Sequence, residues 1–403
     1  MDTPTIKNPF KTSFLSRFVI ASDTLPFRDD EIVQYDLELS RFEQVFLNPD
    51  IEKNLISKNE LLASFAISKA ELSTLTLKEA QDMYDLVLTH PDYDFVSAKL
   101  KQGKKLTQKD YDKLEFFNIA KIFRFLNQNP FMFEDVSPEL ILKLHRNLTQ
   151  GLDIFKKYLP DFTVYKSGRF RDNDTIRVGD YTPAPYREIE VGVLELVNWL
   201  KNNRNITGVA VFHTALYGLH PFNNGNKRVC RILEHVLLRQ LGINQKNLYS
   251  TSYYYHKQKQ RYYKYLLYSL ERKNLNHFVA FVEEAIMLSM ISVVKTSLEA
   301  KRSEFINLKV EEPVIKGILK LLIKRRELQF KHLFRNVNKK MARQTFVTNL
   351  QKATELNIVS KKEIGRSTYY SLNTTYPEEA TIGNWLTLIK KRLLFIPDEF
   401  KLL

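Results

Sequence analysis

The chain has a single cysteine, Cys230, among its 403 residues. One cysteine excludes an internal disulfide and argues against a cysteine-ligated metal site. The first 20 residues have an acid at position 2 and no long apolar run, which is a poor match to a signal peptide. The sequence has no run of about 20 uncharged apolar residues, so no membrane span is predicted. A reducing cytoplasm is the expected location.

Glycine and proline are also scarce, at 12 and 14 residues. Both interrupt helices, so their scarcity predicts a mainly α-helical chain with short connections. Two helix starts can be read directly, at Thr76 with Glu79 three residues later and at Ser137 followed by Pro138. Residues 160–186 differ, because two glycines and an alternating stretch predict a short β-hairpin there.

Negative charge is scarce towards the end of the chain. The net charge is +15 at pH 7, and residues 301–403 contain 21 Lys and Arg against 10 Asp and Glu. The excess is therefore local and indicates one basic module. Such a module serves either solubility or a nucleic-acid surface, and the composition leaves both open.

The helical and β-rich patterns also predict domain boundaries. Residues 312–372 contain three helices followed by two β-rich runs around Gly365, which is the pattern of a winged helix-turn-helix. The predicted units are an N-terminal helical region at 1–109, a core at 110–290, a connecting helix at 291–311, a winged helix-turn-helix at 312–375 and a C-terminal tail at 376–403.

The stretch LHPFNNGNKRVCRIL begins at residue 219 and carries the chemistry. His220 precedes a proline, which ends the helix before it. Gly225 permits backbone conformations closed to other residues, and the helix after it offers N–H groups and a positive dipole end to an anion. Arg228 and Arg231 share one face of that helix. These residues alone allow two interpretations. One is a polyphosphate site with a histidine base, and the other is an ordinary turn with surface arginines.

The order of residues in HPFNNGNKRVCR, at 220–231, closely resembles the signature of the Fic family, His-Pro-Phe-x-(Asp/Glu)-Gly-Asn-(Gly/Lys)-Arg-x-x-Arg. The preceding RFRDNDTIRVGDYTPAP, at 169–185, resembles the flap that family members place over the target side chain. The resemblance implies a helical Fic fold with a short β-hairpin flap over a core at 110–290, here followed by a C-terminal winged helix domain.

The resemblance also implies an activity and a set of site residues. Most characterised Fic proteins transfer AMP from ATP to a Ser, Thr or Tyr hydroxyl of a target protein. By resemblance, His220 is the general base, Phe222 anchors the loop, Asn226 meets the α-phosphate and Arg231 holds the outer phosphates. The implied nucleotide-binding set is Gly225, Asn226, Lys227, Arg228 and Arg231, and the implied target-docking flap is Thr175, Ile176, Arg177, Val178 and Gly179.

Two positions depart from the family pattern. The resemblance implies Mg2+ (or Mn2+) as cofactor and ATP as co-substrate, with an Asp or Glu holding the metal where this chain has Asn224. An amide oxygen lacks the charge of a carboxylate, so we expect weak metal binding at this position. Lys227 stands where adenylylating members more often have glycine, and the Doc branch, whose toxins phosphorylate their targets, also has lysine there.

A third comparison concerns regulation. Longer Fic family members carry an N-terminal helix whose glutamate pairs with the second motif arginine and blocks the γ-phosphate. The matching helix here lies near 61–71, with Ser64 at the motif serine, Ser68 at the glutamate position and Glu71 almost one turn later. The resemblance implies a brake that is absent or altered, and plain helix packing is the alternative.

Other residues have simpler interpretations. His145, His213 and His277 are expected to be core histidines, and Cys230 is expected to be buried packing. The run QFKHLFRNVNKKMARQT is basic and has no acid. If the last module binds DNA instead of protein, the expected contacts are Lys339, Lys340, Arg343 and Arg366.

The main prediction is a cytoplasmic protein adenylyltransferase that uses ATP to modify a protein target of unknown identity, itself included. One alternative is a weakly active or inactive Fic scaffold that acts as a DNA-binding regulator. Another is a Doc-like protein phosphotransferase. No membrane partner is expected, DNA is a candidate partner, and the sequence is compatible with a homodimer.

Overall fold

The computed structural model describes residues 5–70, 73–337 and 340–401. The described chain is mostly helical, as predicted. Its helices are α1 (Asp29–Phe46), α2 (Pro49–Lys69), α3 (Leu77–Thr89), α4 (Phe95–Lys101), α5 (Gln108–Gln128), α6 (Pro138–Leu148), α7 (Ile189–Asn202), α8 (Ile206–Leu219), α9 (Asn226–Gln240), α10 (Thr251–Lys257), α11 (Lys259–Glu271), α12 (Asn276–Lys309), α13 (Pro313–Lys324), α14 (Phe330–Val337), α15 (Arg343–Glu355), α16 (Pro377–Ile389) and α17 (Asp398–Lys401). Its strands are β1 (Leu328–Gln329), β2 (Val359–Ile364) and β3 (Ser367–Leu372).

The chain divides into two compact units. The first comprises residues 1–38 and 53–289, and the second comprises residues 39–52 and 290–403. Residues 53–109 thus belong to the same unit as nearly all of the predicted core, and the break near 290 lies where the core was predicted to end. The predicted connecting helix is the later part of α12.

The two predicted helix starts are confirmed in the first unit. The Thr76 hydroxyl accepts from the Glu79 N–H, and the Glu79 carboxylate accepts from the Thr76 N–H, which is a capping box. The Ser137 hydroxyl accepts from Leu140 N–H at 3.1 Å, with proline at the first helical position. These local rules act within a few residues, so the sequence shows them without tertiary information.

Helices α8 and α9 form the centre of the first unit. Thirteen of the fourteen residues of α8 are buried, as its apolar sequence ITGVAVFHTALYGL requires. Asn205 caps its start by accepting from Gly208 N–H at 2.7 Å. The helix ends at His220, whose φ of +51° is left-handed. The loop 220–225 then turns the chain directly into α9.

The predicted flap at 160–186 is a turn instead of a regular hairpin. Within these residues, all of which are described, the structure has one isolated bridge, between Val178 and Tyr181, and no strand. Each of these two residues donates its N–H to the other's carbonyl at 3.1 Å. Gly179 occupies the turn with a φ of +60°, a conformation that favours glycine.

The later part of the second unit has the order α13, β1, α14, α15, β2 and β3. The strands form one antiparallel sheet in the order β1-β3-β2, and β2 pairs with β3 from Val359 opposite Leu372 to Ile364 opposite Ser367. This is the connectivity of a winged helix. Its apolar core joins all three helices to the sheet through Ile318, Leu322, Leu333, Phe346, Leu350 and Val359.

Two further segments, α16 and α12, bear on the sequence predictions. The predicted tail at 376–403 contains α16, a packed helix in which Trp385, Leu386 and Ile389 are buried. α12 is long and apolar enough by length and composition to cross a membrane, but its most apolar 18-residue window is 83% buried. Burial of this kind is the ordinary condition of a core helix.

Candidate active site

The backbone at His220 is held by Arg171, a residue of the flap segment. Arg171 is 3% exposed, and its Nε donates to the His220 carbonyl at 2.8 Å. Its own N–H donates to the carbonyl of Pro221 at 2.8 Å. The rest of its guanidinium binds the carbonyls of Asn173 and Ala184. One side chain therefore joins the start of the motif loop to both ends of the flap.

The side chain of Asn226 closes the motif loop from inside. Its Nδ2 donates to the Phe222 carbonyl at 2.8 Å, and its Oδ1 accepts from the Phe222 N–H at 3.0 Å. The Phe222 ring has no solvent exposure, so it anchors the loop in the core as predicted. Because its amide is used within the loop, Asn226 shapes the site in this structure, and its predicted contact with an α-phosphate stays a prediction.

His145, on α6, supports the same loop from below. Its ring stacks on that of Phe222 with 3.8 Å between centroids and an interplanar angle of 3°. Nδ1 accepts from Gly168 N–H at 3.0 Å, so the proton lies on Nε2, which donates to the Asn224 carbonyl at 3.0 Å. Burial lowers the pKa of His145 to about 4, so the ring is neutral at pH 7. The predicted core histidine thus positions the site loop.

The start of α9 has the geometry of an anion site. Gly225 precedes the helix with a φ of +87°, and as a glycine it offers no side chain to cap the first N–H groups. Helix geometry leaves the first N–H groups of α9 outside the intrahelical ladder and places the positive end of the dipole at the same point. Phosphate oxygens are suitable partners for such a helix start.

The residues around Asn224 do not fit a metal held by the protein. Asn224 Oδ1 already accepts from Gly225 N–H at 2.7 Å and lies 3.5 Å from Arg228 Nη2. Among the described residues, no group of three or more His, Cys, Asp and Glu side chains is arranged to hold a metal ion. A lone amide oxygen beside a guanidinium is a poor ligand for Mg2+.

Arg228 is fully buried and paired with a carboxylate that the sequence did not indicate. Its Nη2 lies 3.2 Å from Glu115 Oε1 on α5 and donates to the Tyr165 hydroxyl at 2.9 Å. Tyr111 donates to the same Glu115 oxygen at 3.0 Å and also bonds to Tyr165. Burial raises the pKa of Tyr165 to about 12, so both phenols stay neutral. The predicted contact of Arg228 with phosphate stays a prediction.

Lys227 and Arg231 face the end of α2. Arg231 Nη1 donates to the Ala66 carbonyl at 3.2 Å, and its guanidinium lies 4.3 Å from the ring centroid of Tyr262. Lys227 Nζ donates to the Ala70 carbonyl at 3.4 Å. The two cationic side chains that are predicted to bind the nucleotide phosphates thus donate hydrogen bonds to carbonyl oxygens at the negative end of a helix.

The predicted regulatory residues lie beside this contact. Ser64 has no exposure, and its hydroxyl has no hydrogen-bond partner among the described residues. Ser68 is 1% exposed and donates to Glu115 Oε2 at 3.4 Å. Glu71 lies outside the described residues. The described end of α2 therefore contacts the Arg231 side chain through a backbone carbonyl.

The remaining predicted residues are placed as follows. In the flap, Thr175, Arg177 and Gly179 are exposed, while Ile176 and Val178 are half-buried. Cys230 is 1% exposed, and burial raises the pKa of its thiol, as expected for packing. His213 is buried with its Nδ1 2.6 Å from Glu234, whereas His277 is half-buried. The candidate DNA contacts Lys340, Arg343 and Arg366 are exposed in the second unit, and Lys339 lies outside the described residues.

Sequence reasoning missed three residues that build the site. Arg171 could have been noticed as an arginine inside the flap segment, but no neighbouring residue indicates that its guanidinium is buried. Glu115 and Tyr165 lie 113 and 63 residues from Arg228 along the chain. Their role depends on long-range packing, which helix periodicity alone does not reveal.

Comparison with known proteins places the motif in a family. The Fic/DOC family model matches residues 135–238, which include the flap and the whole motif. A probable protein adenylyltransferase of Aquifex aeolicus is 29% identical over 192 residues, or 47% of this chain and 49% of its own. A protein adenylyltransferase of Caenorhabditis elegans is 26% identical over 135 residues, 32% of this chain and 24% of its own. The matches thus span about half or less of these relatives.

The fold has a solved counterpart. A Fic family protein from Desulfovibrio desulfuricans superposes with a TM-score of 0.50 at 19% identity, covering 87% of this chain and 99% of its own. At this identity the likeness concerns the fold. Together with the motif, the helical frame around it and the family match, it leads to one assignment: residues 135–238 of this chain form a domain of the Fic/DOC family.

Proposed function

We propose that this chain is a protein adenylyltransferase that transfers AMP from ATP to a Ser, Thr or Tyr hydroxyl of a target protein. One arrangement carries the proposal. His220 is fixed by Arg171 six residues before α9, whose N-terminus suits a phosphate and whose first two turns bear Lys227 and Arg231. The names of the Aquifex and Caenorhabditis relatives support the same activity.

The proposed reaction needs one proton acceptor and stabilisation of negative charge. His220 takes the proton of the target hydroxyl as its oxygen attacks the α-phosphorus. A P–O bond forms to the target, and the bond between the α-phosphorus and the bridging oxygen of the β-phosphate breaks. Pyrophosphate leaves with the electron pair, and the proton passes from His220 to pyrophosphate or water. Such a transfer depends mainly on positioning and charge neutralisation.

The chain's own cations supply that neutralisation. When ATP binds, Lys227 exchanges the Ala70 carbonyl, and Arg231 the Ala66 carbonyl, for oxygens of the outer phosphates. Arg228 keeps its pairing with Glu115 and holds α9 in place. Because the donor set at Asn224 does not fit a metal, no step is assigned to a protein-bound ion.

The flap supplies the docking site for the target. Thr175, Arg177 and Gly179 are exposed at alternate positions and frame the turn closed by Val178 and Tyr181. An extended target segment laid beside them is recognised through its backbone, which tolerates many side-chain sequences. The target hydroxyl then points towards His220, because Arg171 joins the flap to the loop that carries this histidine.

The experiment is incubation of the purified chain with cell extract, Mg2+ or Mn2+, and ATP labelled at the α- or, separately, the γ-phosphate. We expect protein labelling from α-labelled ATP, lost in His220→Ala and kept in His277→Ala, which removes a histidine outside the site. Labelling from the γ position alone would establish phosphotransfer instead. No labelling from either position, also in Asn224→Asp, would establish the inactive scaffold.

A further inference from the structure

The second unit carries a surface that the proposed transfer does not use. Residues 313–373, the winged helix, contain 14 Lys and Arg against 3 Asp and Glu. A module of this size with such an excess of positive charge attracts polyanions over a distance of about a Debye length. The charge by itself does not distinguish between polyanions, so the shape of the module and the chemistry of its exposed side chains have to do so.

Helix α15 is the element that presents those side chains. It is the next helix after α14 in the chain, which is the order of the second helix of a helix-turn-helix. Phe346, Leu350 and Ala353 on one side are buried against the core. The other side is solvent-exposed. Its exposed residues in the first two turns are Arg343, Gln344, Thr345 and Thr348.

This exposed side has the chemistry for reading base edges. Arginine can bind the two major-groove acceptors of guanine, glutamine can bind adenine, and threonine contacts the thymine methyl or a hydrogen-bonding edge. The Arg343 guanidinium lies 5.9 Å from the Phe330 ring centroid, at the start of the helix. The first carboxylate of α15 is Glu355, at its far end, so the first three turns do not repel DNA.

Further exposed basic residues lie just before α15 and on the β2–β3 hairpin, where they could contact DNA phosphates. Lys340 is exposed just before α15. The β2–β3 hairpin projects Lys362 and Arg366 into solvent around the turn at Gly365, whose φ is +57°. The hairpin thus presents positive charge around its turn, and Lys340 presents it beside the start of α15.

We infer that the second unit binds double-stranded DNA, with the N-terminal half of α15 in the major groove and the β2–β3 hairpin on the adjoining backbone. Duplex RNA is a poorer fit, because its deep and narrow major groove does not admit a helix. A protein partner is a poorer fit as well, because the exposed side of α15 is polar and not apolar. This inference is independent of the proposed adenylyl transfer.

The test measures binding of the full-length chain to fluorescent oligonucleotides by anisotropy. A 30-base-pair DNA duplex pool of random sequence, the matching duplex RNA and single-stranded DNA are compared between 50 and 200 mM KCl. We expect duplex DNA to bind most tightly, with log K falling against log[KCl] with a slope of about −3 to −5, for roughly four to five neutralised phosphates. Repeated selection from the pool should enrich a duplex sequence.

Two double variants separate the proposed surface from general charge. Arg343→Ala/Arg366→Ala removes two positive charges from the α15 and hairpin face. Lys320→Ala/Lys324→Ala removes two exposed charges from α13, whose buried side packs towards α15. We expect the first to weaken duplex binding about tenfold or more and the second less than threefold. Both should keep the urea-denaturation midpoint of the parent chain, which shows that they fold.

Three results would overturn the inference. The first is no duplex binding at 50 mM KCl. The second is preference for RNA or for single-stranded DNA over duplex DNA. The third is equal weakening by the two double variants, since this would mean that net charge and not the α15 face binds the oligonucleotide.

Discussion

Glu115 and Arg228 form an ion pair in which neither side chain has any solvent exposure, with 3.2 Å between Oε1 and Nη2. Glu115 lies on α5 and Arg228 in the first turn of α9, so the pair attaches the motif helix to a helix far away in sequence. Tyr111 donates to the same Glu115 Oε1, and Tyr165 accepts from the same Arg228 Nη2. Removing one partner of such a buried pair strands the other charge in the core.

Breaking this pair should be costly. Glu115→Ala is expected to lower the free energy of unfolding by about 3–5 kcal/mol, because it leaves the Arg228 guanidinium buried without its counter-charge. Urea denaturation measures the change. The control is Asp92→Ala, which breaks an exposed ion pair with Lys121 and should cost about 1 kcal/mol or less. Similar losses of unfolding free energy in both variants would show that burial does not set the contribution of the Glu115–Arg228 pair.

Arg171 should act as a positioning residue. Arg171→Lys keeps the charge but loses the fork that reaches the carbonyls of His220 and Ala184. On the proposed activity, we expect kcat to fall about tenfold or more while KM for ATP changes less than threefold, because the clamp orients the base and not the phosphates. Initial rates of labelling measure both constants. Arg169→Lys, two residues away and exposed, is the control and should change neither constant.

An equal rise in KM for ATP and fall in kcat for Arg171→Lys would contradict that role. It would show that the arginine maintains the nucleotide site as a whole.

The burial of His145 predicts a pH-dependent stability. Its pKa is about 4 in the folded chain and about 6.5 when unfolded, so the unfolded state binds a proton first as the pH falls. The contribution is intact above pH 6.5 and is lost between pH 6.5 and about 4, with an upper limit of about 3 kcal/mol. Urea denaturation across this range gives the free energy of unfolding at each pH. Its slope against pH should be smaller for His145→Gln than for the parent chain.

His90→Gln, which replaces an exposed histidine, is measured beside it as the control for the substitution itself. An identical slope in the parent chain and His145→Gln would refute the assignment of a neutral, buried ring. Buried His235, whose pKa burial lowers to about 3, keeps part of the slope in every variant.

Gly225 should be required for more than backbone freedom. The backbone at Gly225 has a φ of +87°. A Cβ added there would lie 3.4 Å from two atoms of the His145 ring. Gly225→Ala is expected to cost about 1–2 kcal/mol of stability for the left-handed backbone, and to weaken ATP binding as the helix start shifts. Gly103→Ala is the control, because Gly103 has a φ of +70° with no atom within 4 Å of its Cβ.

The two glycine variants should therefore lose similar stability in thermal denaturation, while only Gly225→Ala loses ATP affinity in a titration. Unchanged ATP affinity in Gly225→Ala would place the nucleotide away from the start of α9.

Local features of this chain were predictable from sequence. The capped helix starts at Thr76 and Ser137, the end of α8 at His220 and the winged-helix pattern after residue 312 follow from rules that act over a few residues. The motif at 220–231 indicated the family by its order alone. The flap was harder, because its alternation suggested strands where the structure has a single bridge.

The sequence by itself determined that this chain is mainly helical, that it turns at Gly225 into a basic helix start and that its last module carries excess positive charge. Only the tertiary structure decided that Glu115 pairs with Arg228, that Arg171 binds the His220 backbone and that the Ala66 and Ala70 carbonyls, at the end of α2 and just after it, accept from Arg231 and Lys227. The reason is physical. Capping, turn and charge preferences act between neighbours in the chain. The partner of a buried charge instead lies on a helix that the packing of the fold brings within hydrogen-bond distance.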